Sequence, residues 1–293
     1  MSDRPLSHLQ LVCRIPKQKL IRPGENDPNF KGMSYNSARD ELFLADDNNR
    51  VVREIHVRDN VDDLRDVYRG TLHDTSPNVS SVCHMSDSDT LIVCSKEKGP
   101  DQKVANWLVA LRRNGSEWRE AQRVQTEGEG WICCALTDSR VLIGQYNSTY
   151  MELFRVEGGS IIERACIRVS EKYDWFSTRC NIDTLVAKTY PFTDQSVRVY
   201  RLRGDQLEEL SRIQLNYPRG VLWLADRFLV TDWDNEKKSL DKKELEMIGT
   251  RFTSCKLIAT SEKIVAYRWC AVDDALAMFD WNSKDLTTHL FKN

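Results

Sequence analysis

Apolar and polar positions recur along this chain in one phrase: an acidic residue, a spacer, a run of apolar residues, then two residues that leave the run. It reads Asp40-Glu-Leu-Phe-Leu-Ala-Asp46-Asp47 and Asp89-Thr-Leu-Ile-Val-Cys-Ser95-Lys96. It returns with one more spacer as Asp138-Ser-Arg-Val-Leu-Ile-Gly-Gln145-Tyr146, then as Asp183-Thr-Leu-Val-Ala-Lys-Thr189-Tyr190. The last two copies are Asp226-Arg-Phe-Leu-Val-Thr-Asp232-Trp233 and Glu262-Lys-Ile-Val-Ala-Tyr-Arg268-Trp269. Short apolar runs bounded by turn formers predict buried strands. The six final residues, at 47, 96, 146, 190, 233 and 269, are 36 to 50 residues apart. A period of that size marks a stacked or radial array of repeated units.

Each repeat carries more than this strand. In the fourth, Phe176-Ser-Thr-Arg-Cys predicts an inner strand before Asp183, and Ser196-Val-Arg-Val-Tyr-Arg-Leu alternates as a third strand. Arg203-Gly204-Asp205 turns the chain, and Leu207 to Ile213 forms a fourth strand. Alternation bounded by Gly, Asn and Asp is the hairpin signature, and four antiparallel strands in a meander make one unit. An insertion at Glu97 to Lys103 lengthens the second period. The fifth repeat departs from the plan: the charged segment from Glu236 to Gly249 has poor β-propensity. It predicts an incomplete unit, with Ser239 capping a helical turn that ends near Gly249. Leu9-Gln-Leu-Val-Cys-Arg-Ile resembles a spare outer strand, expected to pair with the last or the fifth unit and so close a ring.

With these segments in view, the chain from about Leu9 onward resembles six-bladed β-propellers of the NHL-repeat-like and TolB-like type. The six acidic-turn strands carry the resemblance, together with Gly32-Met-Ser-Tyr and Pro218-Arg-Gly-Val-Leu-Trp-Leu leading into inner strands. The Gly-His and Trp-Asp signatures of WD-repeat blades are absent, and Trp233-Asp234 is a lone dipeptide. The resemblance implies an all-β fold: one six-bladed propeller with an incomplete fifth blade, closed by an N-terminal strand at residues 8–16. Its repeats fall at about 32–70, 79–127, 130–173, 174–217, 218–250 and 251–293. Fold does not fix function.

Composition narrows the function classes. The 293 residues carry 42 basic and 44 acidic side chains, so there is no long-range attraction toward nucleic acid or acidic membranes. Met1 to Ser7 lacks the apolar core of a signal peptide, and no stretch reaches the roughly 18 apolar residues of a membrane span. The expected compartment is the cytoplasm. The nine cysteines form no Cys-x-x-Cys and no zinc spacing, and they read as small buried hydrophobes.

Candidate chemistry lies in two columns. Strand exits contribute Asp47, Lys96, Tyr146, Tyr190, Trp233 and Trp269, and entrances to inner strands contribute Lys31, Glu129, Trp131, Asp174, Trp175, Arg219 and Arg251. Exits and entrances are expected on one face. The residues expected to bind are Asp47, Tyr146, Tyr190, Arg219, Trp233, Arg251, Trp269, Trp131 and Trp175, on a rim suited to a protein or peptide, or to a small polar ligand. The competing reading packs the same rings between blades. The column just before the exits, Asp46, Ser95, Gln145, Thr189, Asp232 and Arg268, is polar throughout, which predicts a solvated rim. The acidic turn residues ring the other face, and a turn role explains them better than a metal does. The five histidines, the lack of a Gly-x-Ser-x-Gly elbow and the lack of a phosphate loop leave no catalytic set, and no cofactor or metal is expected. The leading expectation is a non-enzymatic interaction scaffold. The alternative is a metal-dependent hydrolase or lactonase with an axial site, and the third is an RNA-binding propeller, which the balanced charge disfavours.

Overall fold

The computed structural model describes residues 9–57, 63–70, 78–98, 103–128, 130–136, 139–145, 148–169, 173–178, 184–189, 195–224, 227–234, 239–248, 251–261, 268–272, 275–279 and 284–291. Among the described residues the only helical element is one 3-10 turn, Lys17–Lys19. The rest of the regular structure is six antiparallel four-stranded sheets.

The chain begins with β1 (Leu9–Ile15). The first sheet is β2 (Phe30–Asn36), β3 (Glu41–Asp46), β4 (Val51–His56) and β5 (Arg65–Arg69). The second is β6 (Asn78–Met85), β7 (Thr90–Lys98), β8 (Val104–Asn114) and β9 (Glu117–Gln125). The third is β10 (Gly130–Ala135), β11 (Arg140–Gln145), β12 (Tyr150–Glu157) and β13 (Ser160–Arg168). The fourth is β14 (Tyr173–Thr178), β15 (Thr184–Thr189), β16 (Ser196–Arg203) and β17 (Gln206–Gln214). The fifth is β18 (Pro218–Leu224), β19 (Arg227–Asp234), β20 (Ser239–Ile248) and β21 (Arg251–Ser261). The last holds β22 (Arg268–Val272), β23 (Ala275–Phe279) and β24 (Leu286–Phe291), with β1 as its outermost strand.

The first strand of each sheet neighbours the first strand of the next, and β22 returns to β2. Six sheets therefore share one axis, each an up-and-down meander running outward from it. Burial falls along each meander. All six residues of β3 and the first five of β4 are buried, because both faces of those strands are covered by neighbouring sheets. The outermost strands β9, β13 and β17 are mostly exposed or half-buried. Apolar seams fill the space between sheets. Phe43, Val52, Val79 and Leu91 join the first sheet to the second, and Phe154, Ile143, Cys94 and Ile92 join the second to the third. At the closing seam Phe30 meets Phe279 edge to face, with ring centroids 4.8 Å apart. Near the axis the inner strands crowd: a Cβ on Gly32 would lie 2.8 Å from Ser81 Cα, so the approach of β2 to β6 requires glycine there.

The repeated acidic residue has a backbone cause. Asp40, Asp89 and Ser139 each stand directly before the second strand of a sheet, at φ of 56°, 44° and 59°. Short polar side chains tolerate this left-handed conformation better than most. The third copy of the phrase thus aligns on Ser139, and its additional spacer disappears.

Two expectations need correction. The fifth sheet is complete. The charged segment expected to form a helical turn is β20, and Arg251–Ser261, expected to open the sixth repeat, is its fourth strand. The boundary therefore falls after 261 and not after 250. Paired strands elsewhere in this chain, such as β9 and β17, are also rich in charge, so low β-propensity did not exclude a strand here. In addition, the phrase ending at Trp269 is not a second strand. Arg268 and Trp269 lie on β22, the inner strand of the last sheet, and the second strand is β23. In the sequence, Asp274-Ala-Leu-Ala-Met-Phe-Asp280-Trp281 is the copy that fits β23. The closing strand is as expected: β1 pairs antiparallel with β24 from Leu9↔Phe291 to Ile15↔Leu286.

Candidate functional site

Strand direction sets the geometry of the site. Inner strands start, and second strands end, on one face of the ring, which we call the entrance face. Contacts confirm this locally: Phe30 and Asp46 are register partners, and Lys31 Nζ lies 3.1 Å from an Asp47 carboxylate oxygen. The entrance and exit columns therefore share a face in the first sheet.

The entrance carries a repeated irregularity. Register shifts fall between Phe30 and Gly32, Val79 and Ser81, Gly130 and Ile132, Tyr173 and Trp175, and Pro218 and Gly220. Each is a bulge that inserts one residue opposite the end of the second strand. The inserted residues are Lys31, Ser80, Trp131, Asp174 and Arg219. A bulge re-aims a side chain and ends regular pairing. Five sheets thus place one additional residue at an equivalent register position, and the five differ in charge, size and polarity; Ser80 is buried, its hydroxyl donating to the Gly130 carbonyl.

The polar column before the exits is not a solvated rim. Asp46, Ser95, Gln145 and Asp232 are all buried. Asp46 accepts from the Asn29 backbone N–H at 3.0 Å and from Asn49 Nδ2 at 2.8 Å. Asp232 accepts from the backbone N–H groups of Asn216 and Tyr217, the residues leading into β18. These carboxylates hold the incoming inner strand of their own sheet, and buried polar groups of this kind are retained when bonded.

Behind them lies a layer of buried charge. Arg53, fully buried, meets Asp46, Asp66 and Glu25. Glu25 belongs to the segment joining β1 to β2, so this network fastens that segment to the first sheet. Burial alone would raise the Glu25 pKa, but the Arg22 backbone N–H and the Arg53 guanidinium outweigh it and hold it low. Burial pushes Asp46 up despite its bonds to Asn49 and Asn29. In the second sheet Glu97 takes bonds from Tyr68, Ser95 and Arg123. In the third, Glu152 meets Gln145 and Arg164, and burial raises its pKa. In the fourth, Arg198 binds Ser196 and Glu209. Side chains that would suit acid–base chemistry are here turned inward and paired.

A second cluster lies on the opposite face, between the first and second sheets. Glu41, Glu54 and His56 bring ligand atoms within 4.8 Å of one another. The Arg113 guanidinium already meets Glu41 and Glu54, and Trp118 Nε1 donates to Glu54 at 2.8 Å. An arginine between two carboxylates supplies the positive charge a cation would bring, so this donor set fits a structural ion pair better than a metal site. Calcium needs six to eight oxygens, which three side chains do not offer. On the same face a cleft of roughly 570 Å³ opens between the third and fourth sheets, lined in part by Arg140, Leu153, Glu163 and Asp205. None of the expected site residues lines it.

The expected binding residues distribute as follows. Asp47 is half-buried and paired with Lys31. Tyr146 and Tyr190 lie outside the described residues, as do the side chains of Trp131, Trp175, Arg219, Trp233, Arg251 and Trp269. The strands of the last six place their backbones. Trp131 and Arg219 are bulged residues, Trp175 directly follows the bulge at Asp174, and Trp233 is the next-to-last residue of β19. Arg251 does not belong to the entrance column: it starts the outermost strand of the fifth sheet, on the opposite face. Trp269 joins the inner-strand set in place of the exits. The buried arginine networks were not anticipated, although a lone Arg or Glu among β-branched residues, as in Val51-Val-Arg-Glu-Ile, was a usable signal.

Solved structures of similar shape support the architecture. Virginiamycin B lyase from Staphylococcus aureus matches with a TM-score of 0.55 at 8% identity, over 97% of this chain and 100% of that one. The aldose sugar dehydrogenase of Streptomyces coelicolor matches at 0.60 and 10%, over 96% and 97%. The Swd1 β-propeller domain of Myceliophthora thermophila matches at 0.57 and 10%, over 97% and 100%. The fold is a β-propeller. No protein-family model matches the chain, and none of the curated proteins does. At these identities the propeller likeness carries the fold alone, since the neighbours include two enzymes and a Swd1 propeller domain. Among the described residues no helix is long and apolar enough to cross a membrane.

Proposed function

We propose that this propeller is a non-enzymatic interaction module of the cytoplasm, in the manner of NHL-type scaffolds, taking a protein or peptide on its entrance face. The ring of bulged residues carries the reading. Lys31, Ser80, Trp131, Asp174 and Arg219 are five unlike residues at equivalent places. A calcium cage needs six to eight oxygen ligands, and a lysine, an arginine and an indole offer none. Ser80 is buried, its hydroxyl donating to the Gly130 carbonyl, so the recognition set is Lys31, Trp131, Asp174 and Arg219. Two cations, an acid and an indole match an asymmetric, chemically varied chain. Tyr146 and Tyr190, which follow the second strands of their sheets in sequence, and Trp233 near the end of β19 complete the set proposed to bind. The buried acids and arginines behind the face hold it rigid, which lowers the ordering cost of binding.

The test is affinity capture with the purified chain, comparing wild type with Arg219→Ala and Trp233→Ala. A partner held by wild type and lost by both variants, at unchanged melting temperature, supports the reading. Calcium titration with an esterase and lactonase screen tests the hydrolase alternative, and calcium-dependent turnover would replace the scaffold reading.

A further inference from the structure

On the face opposite the entrances, charged side chains join the first blade to the second. Glu41 opens β3 directly opposite His56 of β4, and Glu54 stands two residues before His56. Period-two alternation therefore puts all three side chains on one face of the first sheet. Both carboxylates are buried, Glu41 at 3% exposure and Glu54 at 2%. Arg113 of β8 reaches them from the second sheet: its guanidinium donates to Glu41 and lies 3.7 Å from Glu54. The Trp118 ring lies against that guanidinium at 4.3 Å, and its Nε1 donates to Glu54 at 2.8 Å. Asn36 Nδ2 donates to Glu41 at 3.0 Å.

Charge does not balance here. Arg113 Nε also lies 3.2 Å from Asp89, so one guanidinium serves three carboxylates. The neighbouring charges are engaged elsewhere. Exposed Arg39 pairs with Asp89 at 3.7 Å and acts on Glu41 only from a distance. His84 meets Asp89, Arg65 pairs with Asp63, and Asp40 accepts from the Tyr35 hydroxyl. Asn36 and Trp118 bond to the acids but bring no charge. Two buried carboxylates beside one shared guanidinium leave a negative charge uncompensated, which is costly in a seam closed to water. A proton removes it. Burial, and then the charge of Glu54, push the Glu41 carboxyl up, and Arg113, Asn36 and Arg39 do not cancel the effect. The donors from Asn36 and Arg113 both meet Glu41 Oε2, which leaves Oε1 to carry the proton.

We propose that the Glu41–Glu54 pair holds one proton at the joint between the first and second blades and makes that joint pH-sensitive. With the proton on Glu41, Arg113 faces one buried anion fewer and the two carboxyl groups no longer repel. Without it, like charges are forced together inside the seam. The folded chain thus holds this proton more firmly than the unfolded chain. The stability it contributes is full below the ordinary value of 4.5 and is lost as pH rises through the raised one. The joint lies apart from the entrance face and does not depend on what binds there.

Glu41→Gln tests this, because its amide oxygen still accepts from Asn36 and Arg113 while the side chain stays neutral at every pH. The full-length variant and wild type are melted side by side from about pH 4.5 to about pH 8. The variant is expected to melt at least about 2 °C higher at the upper end, with the gap closing toward the lower end. His84 is common to both chains, so its titration cancels in the difference. Infrared spectra of the wild type in mild acid should show the carbonyl stretch of a buried protonated carboxyl, absent from Glu41→Gln. If that variant does not fold, Glu54→Gln removes the same excess charge, and the same comparison decides. A gap independent of pH overturns the proposal, as does a variant less stable than wild type throughout. Wild-type pH dependence that survives Glu41→Gln and disappears in His56→Gln would move the proton to the imidazole and overturn it equally.

Discussion

Arg53 shows what a single side chain does in this fold. It is fully buried, with carboxylates of Glu25, Asp46 and Asp66 around its guanidinium. Removing it leaves buried anions without a counter-charge, which costs far more than an exposed pair is worth. Arg53→Met is therefore expected to lower unfolding free energy by about 3–5 kcal/mol in urea titration. Arg155→Met, at an exposed pair with Glu157, should change it by less than about 1 kcal/mol. Equal losses would contradict the burial argument. His84 supplies the pH-sensitive counterpart. Its ring stacks on Phe43 at 5.6 Å, and its Nε2 lies 3.0 Å from Asp89. Burial lowers its pKa, with Arg113 and Arg39 adding to the effect, and the pull of Asp89 does not restore it. The folded chain thus takes up a proton on His84 less readily than the unfolded chain. The stability this contributes is full above the ordinary value of 6.5 and is lost as pH falls through the lowered one. The melting-temperature difference between wild type and His84→Gln should narrow from about pH 7.5 to about pH 5.5. A constant difference would exclude His84 as the titrating group.

At the scale of elements, the second strands were the most legible part of the sequence, because burial on both faces leaves a continuous apolar run. The fifth sheet was least legible, although the fourth strands β5, β9, β13 and β17 were read within a few residues. Asp241 to Met247, on the third strand of its sheet, alternates too weakly to be read as a strand, because five of its seven residues are charged. There β20 is held on both sides, by β19 and by β21, with Glu244 opposite Lys256. Glu244→Pro should therefore break a ladder and cost about 3 kcal/mol or more, whereas a proline in a solvated turn would cost little. The sixth copy was misread for a related reason. Glu262 begins an apolar run, but the turn before a second strand selects a short side chain that accepts positive φ, as at Asp40 and Asp89. Asp274 meets that requirement and glutamate does not. The closing strand was legible as an orphan that lacked neighbours in sequence. Asp285 adds a contact that pattern could not reveal: it binds Arg14 and accepts from the Lys17 backbone N–H at 3.0 Å. Deleting residues 1–16 exposes the edge of β24, and both a lower melting temperature and self-association are expected. Asp285→Ala should reproduce part of the loss, about 1–3 kcal/mol, by calorimetry. An unchanged melting temperature in the truncated chain would show that closure adds nothing.

The whole molecule has two faces built for different work. On one, carboxylates such as Asp46 and Asp232 hold incoming inner strands, and five bulges insert five dissimilar residues. On the other, left-handed turns at Asp40, Asp89 and Ser139 reverse the chain, and Arg113 meets the acids beside it. The sequence separated these faces through the acidic phrase, because turn chemistry is local. It did not show which polar residues of the entrance face are buried, because that depends on the neighbouring sheet. It also misplaced Arg251, whose strand follows a turn on the opposite face. That misplacement provides a control for the binding reading. If recognition belongs to the bulged ring, Arg219→Ala and Trp233→Ala should each reduce partner retention at least tenfold, about 1.4 kcal/mol, measured by surface capture. Arg251→Ala, with Arg140→Ala in the cleft of the opposite face, should leave retention within twofold. The four variants need matched melting temperatures, so that loss of binding is not loss of fold. Loss of binding in the Arg251 and Arg140 variants alone would move recognition to the opposite face and leave the bulged ring a device of architecture.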